Sequence, residues 1–226
     1  MKIALLGYGK MGKILDTMAL AAGHEVVLRH SGGNGTMLQP QALTGADVAI
    51  EFSVPAAAPV HIETCLQAGV PVVCGTTGWL DELDRIKALI PQHQGALVYA
   101  SNFSVGVNLF FALNRYLAQI MAAHPQYAIS MEEIHHTEKL DAPSGTALSL
   151  AADIRKQTSN SNIPIVSRRE PGVTGTHHVA YSHAIDTLSI SHVAHSREGF
   201  ARGALLAAEW VIGKTGFFEM SDVLQL

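Results

Sequence analysis

The chain opens on a short apolar run, Lys2 to Leu6, that stops at Gly7. A run of this length bounded by glycine predicts a buried parallel strand. A helix is predicted from near Lys10 to Gly23, carrying Met11, Ile14, Leu15, Met18 and Leu20 inward. Glu25 to Leu28 reads as a second strand, and the Gly/Ser-rich stretch Ser31 to Gly35 as a loop. The alternation then repeats: strand Val48 to Phe52, helix His61 to Ala68 closed by Gly69, and strand Val70 to Cys74 running into Gly75-Thr76-Thr77-Gly78. Helix Asp81 to Ile90 and strand Ala96 to Ala100 follow. Strands alternating with helices predict an α/β, Rossmann-like parallel sheet covered on both faces.

After residue 100 the pattern changes. Val107 to Ala122 predicts a longer helix, and Tyr127 to His136 alternates, placing Ile129, Met131, Glu133 and His135 on one face of a strand. Ser144 to Lys156 is helical in pattern, and Gln157 to Asn162 is polar and flexible. Thr176 to His183 and Thr187 to Ala194 read as an antiparallel pair before a last apolar helix, Phe200 to Ile212. The second half is therefore α+β, and two domains are predicted with a hinge near Asn102 to Gly106.

At 226 residues the chain can bury a core without disulfide or metal staples. Its net charge of −4 argues against a nucleic-acid partner. No apolar run approaches the roughly 18 residues of a membrane span. The apolar stretch after Lys2 is too short for a signal peptide, so a cytoplasmic protein is expected. Cys65 falls in a predicted helix and Cys74 at a strand end, which predicts buried reduced thiols. Charged residues make up only 15%, and eight of the 12 histidines lie after position 123. The low charge fits burial in a subunit interface.

Gly7-Tyr8-Gly9-Lys10-Met11-Gly12 is G-x-G-x-x-G between a predicted strand and a predicted helix. Gly7 permits the tight turn, Gly9 lets backbone approach a pyrophosphate, and Gly12 lets helix and strand pack closely. The free N–H groups of the helix N-terminus then meet the anion. An acidic residue ending the second strand would hold an NAD ribose. Here the strand ends Leu28-Arg29-His30-Ser31, and no carboxylate follows Glu25. Arg29 has the planar donor fork to meet a 2′-phosphate, which inclines the reading to NADPH, with NADH open. The alternative for Arg29 is a solvated surface charge.

The segment from Glu133 to Ala147 places His135, His136, Lys139 and a helix N-terminus within fifteen residues. Ser144 is an N-cap candidate, with Gly145 and Thr146 offering backbone N–H groups to an anion. Lys139 adds a cation, and either imidazole can supply a proton near neutral pH. Such a set suits a carboxylate substrate; the plainer alternative is a surface loop before a capped helix. No metal site is expected. Adjacent histidines such as His135 and His136, or His177 and His178, point to opposite faces of a strand. The zinc spacings His-Glu-x-x-His and Cys-x-x-Cys are also absent.

Taken together these stretches resemble the dihydrodipicolinate reductase (4-hydroxy-tetrahydrodipicolinate reductase) family of lysine and diaminopimelate biosynthesis. The likeness runs through Lys10-Met11-Gly12, Ile50-Glu51-Phe52-Ser53, Gly75-Thr76-Thr77-Gly78 and Ser101-Asn102-Phe103-Ser104-Val105-Gly106. It continues through His135 to Ala147, His195-Ser196-Arg197, Phe200-Ala201-Arg202-Gly203-Ala204 and Met220-Ser221-Asp222-Val223-Leu224. The resemblance implies a dinucleotide-binding domain of residues 1–103 and 198–226, and a substrate-binding and tetramerisation domain of residues 104–197. It implies that Gly7, Gly9, Lys10, Met11, Gly12, Gly75, Thr76, Thr77, Ser101, Asn102 and Phe103 hold NADPH or NADH, to which the donor fork at the end of the second strand adds Arg29. His135 becomes the proton donor and Lys139 its catalytic partner. His136, Ser144, Gly145, Thr146 and Arg197 become the holders of the two substrate carboxylates.

In the family's reaction hydride goes to C4 of the cyclic substrate and a proton to C3. Two departures surround the adenosine half of the cofactor: the glycine loop is one residue shorter than the family form, and the segment between Arg29 and Asp47 lacks a strand–helix unit. A nucleotide-sensing protein without catalysis would have lost His135 or Lys139, and both are present. Another small-acid dehydrogenase, of the aspartate dehydrogenase type, would share only the first half.

Overall fold

A computed structural model describes residues 1–31, 37–158 and 162–226. In chain order the first elements are β1 (Lys2–Leu6), α1 (Lys10–Ala21), β2 (Glu25–His30), β3 (Val48–Glu51), α2 (Ala58–Gln67), β4 (Val72–Cys74), α3 (Leu83–His93) and β5 (Ala96–Tyr99). Then come α4 (Val105–Met121), β6 (Ala128–His135), α5 (Gly145–Arg155), β7 (Ile165–Arg169), β8 (Gly175–Ser182) and β9 (Thr187–Ala194). The chain ends with α6 (Glu198–Val211), β10 (Gly216–Phe218) and α7 (Met220–Leu224). The described residues form two compact units, Met1–Val105 with Glu198–Leu226, and Gly106–Arg197.

The first unit is a six-stranded, all-parallel sheet in the order β10-β5-β4-β3-β1-β2. Side chains alternate across β1: Ile3 and Leu5 enter one core with Leu15 and Ala19 of α1 and Ala204 and Ala208 of α6. Ala4 and Leu6 enter the opposite core with Ile62 and Leu66 of α2 and Ile86 and Ile90 of α3. Burial on both faces is why these strands read as unbroken apolar runs. Both cysteines are buried and reduced, as their positions predict. Among the described residues between β2 and β3 the regular structure is a single 3-10 turn, Pro40–Leu43, in keeping with the missing strand–helix unit. Most of the predicted Ser31 to Gly35 loop lies outside the described residues, as do residues 159–161 of the predicted polar stretch.

One expectation is corrected, and two features lie outside the sequence reading. Leu20 is 53% exposed and Ala19 takes the inward place. Leu15 and Ala19 are separated by four residues and share a helix face, whereas Leu20 is a further 100° round it. The strands β7 and β10 carry no clear alternation in sequence, being an edge strand and a three-residue strand. The second sheet is mixed: in the order β7-β6-β8-β9, β6 and β7 run parallel and the other pairs antiparallel.

The inward face of that second sheet changes character along its length. On β6 it runs Ile129, Met131, Glu133, His135, and on antiparallel β8 it runs Tyr181, Val179, His177, Gly175. The apolar end packs against Phe110 and Ala118 of α4 and Leu150 and Ile154 of α5. The polar end lies where α5 begins.

In α6, a Cβ on Gly203 would stand 1.7 Å from the Phe103 carbonyl oxygen. Helix propensity alone favours Ala over Gly by about 1 kcal/mol. The backbone contact reverses that sign, so Gly203→Ala is expected to lower stability by about 1–3 kcal/mol. Thermal unfolding checks this: an apparent Tm several degrees lower is predicted, and a raised Tm contradicts the close packing.

Candidate active site

The carboxyl ends of β1, β3 and β4 open into a groove of about 380 Å³, lined by Gly9, Lys10, Met11, Phe52, Ser53, Pro55, Gly75, Thr76 and Thr77. Its floor depends on missing side chains. A Cβ on Gly7, whose φ is +96°, would stand 2.1 Å from the Phe52 carbonyl oxygen, and one on Gly12 would stand 2.2 Å from the Gly7 carbonyl oxygen. Beside Gly9 there is open space, and α1 has no side-chain cap. Backbone can therefore approach a phosphate at the helix N-terminus, and the residues present fit a dinucleotide.

Behind the groove lies a group with no role in the sequence reading. Glu51, at the end of β3, has no exposed surface. Ser53 donates to it through its hydroxyl and, at 3.1 Å, its backbone N–H; the Cys74 thiol donates at 3.2 Å, and His61 Nδ1 lies at 3.3 Å. Burial alone would push the Glu51 carboxyl up, but the hydrogen bonds led by His61 and Ser53 hold it below its usual range. Burial of the Cys74 thiol, and then the same carboxylate beside it, push that thiol up.

Arg29 is neither free nor simply solvated. Its Nε and one terminal nitrogen donate to the two Asp16 oxygens at 2.8 and 2.7 Å, and another donates to the Val26 carbonyl at 3.2 Å. The Tyr8 hydroxyl of the glycine loop donates to the same Asp16 carboxylate. Arg29 lowers the Asp16 carboxyl, and Asp16 raises Tyr8. Ser101 and Asn102 follow β5, one strand beyond the groove, and Asn102 accepts from the Ser104 N–H at 2.9 Å. The Phe103 side chain is buried in the core beside Phe52.

In the second unit the polar end of the sheet gathers around Glu133, which has no exposed surface. The Ser144 N–H donates to both of its oxygens at 3.0 Å. Arg169 of β7 lies 3.5 Å from Oε1, and His135 Nδ1 and His177 Nε2 lie 3.6 and 3.8 Å from Oε2. Ser144 caps α5, accepting from the Ala147 N–H at 3.2 Å, and its hydroxyl lies 3.3 Å from His177 Nε2. Burial would raise the Glu133 carboxyl, yet hydrogen bonding from Ser144 and the neighbouring His135 keep it below its ordinary value.

Burial lowers His135; Glu133 opposes that, and Lys139 and Arg169 add to it. Burial and the neighbouring His135 bring His177 down to about 4. The Lys139 ammonium is paired with Asp141 at 2.7 and 2.8 Å, and Arg169 donates to the backbone carbonyls of Lys139 and Asp141. Arg197 reaches to 3.5 Å from His136 Nε2, so those two predicted carboxylate ligands meet. Gly145 is exposed at the start of α5 with open space beside it. Glu133, Arg169 and His177 are the residues a reading along the chain passes over. Their one signal is Glu133 sharing a strand face with His135.

Two family models cover nearly the whole chain: one described as "Dihydrodipicolinate reductase, N-terminus" matches residues 1–103, and one described as "Dihydrodipicolinate reductase, C-terminus" matches residues 106–224. A 4-hydroxy-tetrahydrodipicolinate reductase of Christiangramia forsetii is 45% identical, covering 99% of this chain and 98% of the relative. Another from Thiobacillus denitrificans is 33% identical, covering 100% and 98%. Among solved structures, a dipicolinate-bound dihydrodipicolinate reductase from Paenisporosarcina sp. TG-14 superposes with a TM-score of 0.78 at 24% identity, over 96% of this chain and 97% of that one. An aspartate dehydrogenase from Thermotoga maritima reaches 0.51 at 14% identity, over 92% and 95%, a likeness of fold alone.

The buried histidines carry a stability consequence. An unfolded His177 takes up a proton near pH 6.5, whereas the folded one does so only near 4. Its contribution is whole above pH 6.5 and is lost as pH falls through that window, on the order of 3 kcal/mol in all. Denaturant unfolding at pH 6.5 and 4.5 is expected to show the loss and to show it reduced in His177→Gln. An identical pH dependence in both proteins contradicts a neutral buried His177.

Proposed function

The chain belongs to the dihydrodipicolinate reductase family of oxidoreductases, and from that premise we propose how its residues reduce 4-hydroxy-tetrahydrodipicolinate to tetrahydrodipicolinate. The observation that carries the reading is His135, which faces a buried carboxylate from 3.6 Å beside a helix N-terminus, with Lys139 close by. The glycine loop, Gly75 to Thr77 and Ser101 to Phe103 hold a pyridine nucleotide, which when bound supplies hydride. The Phe103 side chain lies in the core, so its part is played by backbone. His136, Ser144, Gly145, Thr146 and Arg197 hold the two carboxylates of the cyclic substrate. The N–H groups of Gly145 and Thr146 begin a helix and favour an anion there.

His135 delivers the proton to C3, and Lys139 assists it as a cation. In the free protein burial and two cations keep His135 below its ordinary value. Two incoming carboxylates oppose those cations and favour the protonated imidazole. Substrate therefore helps to load its own proton donor. A substrate carboxylate also competes with Asp141 for the Lys139 ammonium.

Arg29 inclines the nucleotide to NADPH. Three of its five N–H groups are spent on Asp16 and Val26, which leaves two for a 2′-phosphate. Assembly as a homotetramer is supported by apolar side chains left exposed in the second unit, Leu188 and Val193 on β9 and Leu113 and Tyr116 on α4. No helix among the described residues is long and apolar enough to cross a membrane, and a cytoplasmic location completes the reading.

Oxidation of NADPH or NADH with enzymatically generated substrate tests the activity. Turnover is expected with at least one nucleotide, and none with either overturns the reading. Lys139→Ala is expected to lower kcat by at least ~100-fold, within the range for assistance of proton transfer, with nucleotide Kd unchanged. A matching loss of nucleotide affinity contradicts its placement on substrate. Arg29→Ala is expected to weaken NADPH by about tenfold or more relative to NADH, the scale of a charge-assisted hydrogen bond. Equal weakening of both nucleotides removes Arg29 from the 2′-phosphate.

A further inference from the structure

Glu133, His135 and His177 form a set that proton transfer alone does not explain. They are 0%, 7% and 5% exposed, and one ligating atom from each lies within 4.8 Å of the other two. Glu133 and His135 are two apart on β6 and share a face, and register places His177 of β8 directly opposite Glu133. The backbone of two paired strands thus fixes all three positions. His135 Nδ1 is buried without a hydrogen-bond partner among the described residues, and it faces the Glu133 carboxylate from 3.6 Å. Adjacent histidines cannot chelate one ion, but this trio comes together across strands.

We propose that Glu133, His135 and His177 bind a divalent zinc ion, and that the bound ion inhibits the reductase. Two imidazole nitrogens and one carboxylate oxygen are the donor set of three-ligand zinc sites, which keep a fourth position open. Tetrahedral zinc with bonds of about 2.0–2.2 Å needs ligand atoms about 3.3–3.5 Å apart. Glu133 Oε2 stands 3.6 Å from His135 Nδ1 and 3.8 Å from His177 Nε2, and the two imidazoles' ligating atoms lie within 4.8 Å of each other, so side-chain rotations that draw the imidazoles together close the set. The two Ser144 N–H contacts at 3.0 Å already orient the carboxylate, as outer-shell donors do at metal sites. The Ser144 hydroxyl, 3.3 Å from His177 Nε2, or a water can complete the shell. Arg169 and Lys139 oppose a second cation, which makes occupation reversible instead of structural.

The inhibitory part rests on the proposed function: an ion on His135 takes the lone pair that has to carry the proton. The binding part rests on geometry alone.

The full chain titrated with Co²⁺, a spectroscopic stand-in for Zn²⁺, separates the two. One ion per chain is expected, with an intense visible ligand-field band that Zn²⁺ abolishes. Kd is expected to weaken at least ~tenfold in both His177→Gln and Glu133→Gln. In the unsubstituted protein, imidazole NMR is expected to show Zn²⁺ shifting His135 and His177 and leaving exposed His93 in place. That spectrum decides the site even where a variant does not fold. Absence of the band, or imidazole shifts elsewhere only, overturns the zinc site whether or not the protein turns over. Reductase turnover that Zn²⁺ stops and EDTA restores supports inhibition. Stoichiometric binding with turnover untouched overturns the inhibitory role and leaves the reductase reading standing.

Discussion

A carboxylate with no exposed surface has to recover its lost hydration from the protein, and Glu133 does so from four directions at once. The Ser144 N–H groups its two oxygens from the start of α5, Arg169 approaches from β7, and His135 and His177 flank it from β6 and β8. Removing any one donor leaves a buried charge under-compensated, which is far more costly than losing a surface ion pair. The position of the helix that offers N–H groups, the setting of the His135 imidazole and the start of the 136–143 loop thus share one cause. The first unit repeats the device: Glu51, equally buried, collects Ser53, His61 and Cys74 behind the groove formed by the glycine loop.

The polar end of the second unit sets cations against carboxylates. Lys139, Arg169 and Arg197 lie in one short region against Asp141 and Glu133. In the free chain the cations disfavour a proton on His135, and Lys139 occupies itself with Asp141. On the proposed function, the two negative charges of a bound dicarboxylate offset these cations and thereby favour a proton on His135.

Much of this was legible from pattern. The unbroken apolar strands, G-x-G-x-x-G between strand and helix, and the alternation of Ile129, Met131, Glu133 and His135 each have a direct physical meaning, and the structure carries each of them. What escaped is what depends on register. His177 reaches Glu133 only because β8 pairs with β6 at that position, and Arg169 only because β7 adds a parallel strand on the other side. Asp16 looks like one more polar residue in an amphipathic helix until the end of β2 brings Arg29 onto it. The strand β7 was invisible because an edge strand with Arg168 and Arg169 has no buried face to advertise. Leu20 misled because the inward helix stripe at that point is filled by Ala19.

The central claim is that the Glu133 carboxylate sets both the position and the proton affinity of His135. It is tested by the pH profile of kcat/KM for Glu133→Gln beside that of the unsubstituted enzyme, with nucleotide Kd measured in parallel. A proton donor must be protonated, so activity falls as pH rises through its pKa. Loss of the carboxylate removes the charge that raises His135. The predicted result is a lower rate whose decline sets in at lower pH, with nucleotide affinity unchanged. An unshifted profile at full rate, or a loss confined to nucleotide binding, would contradict it.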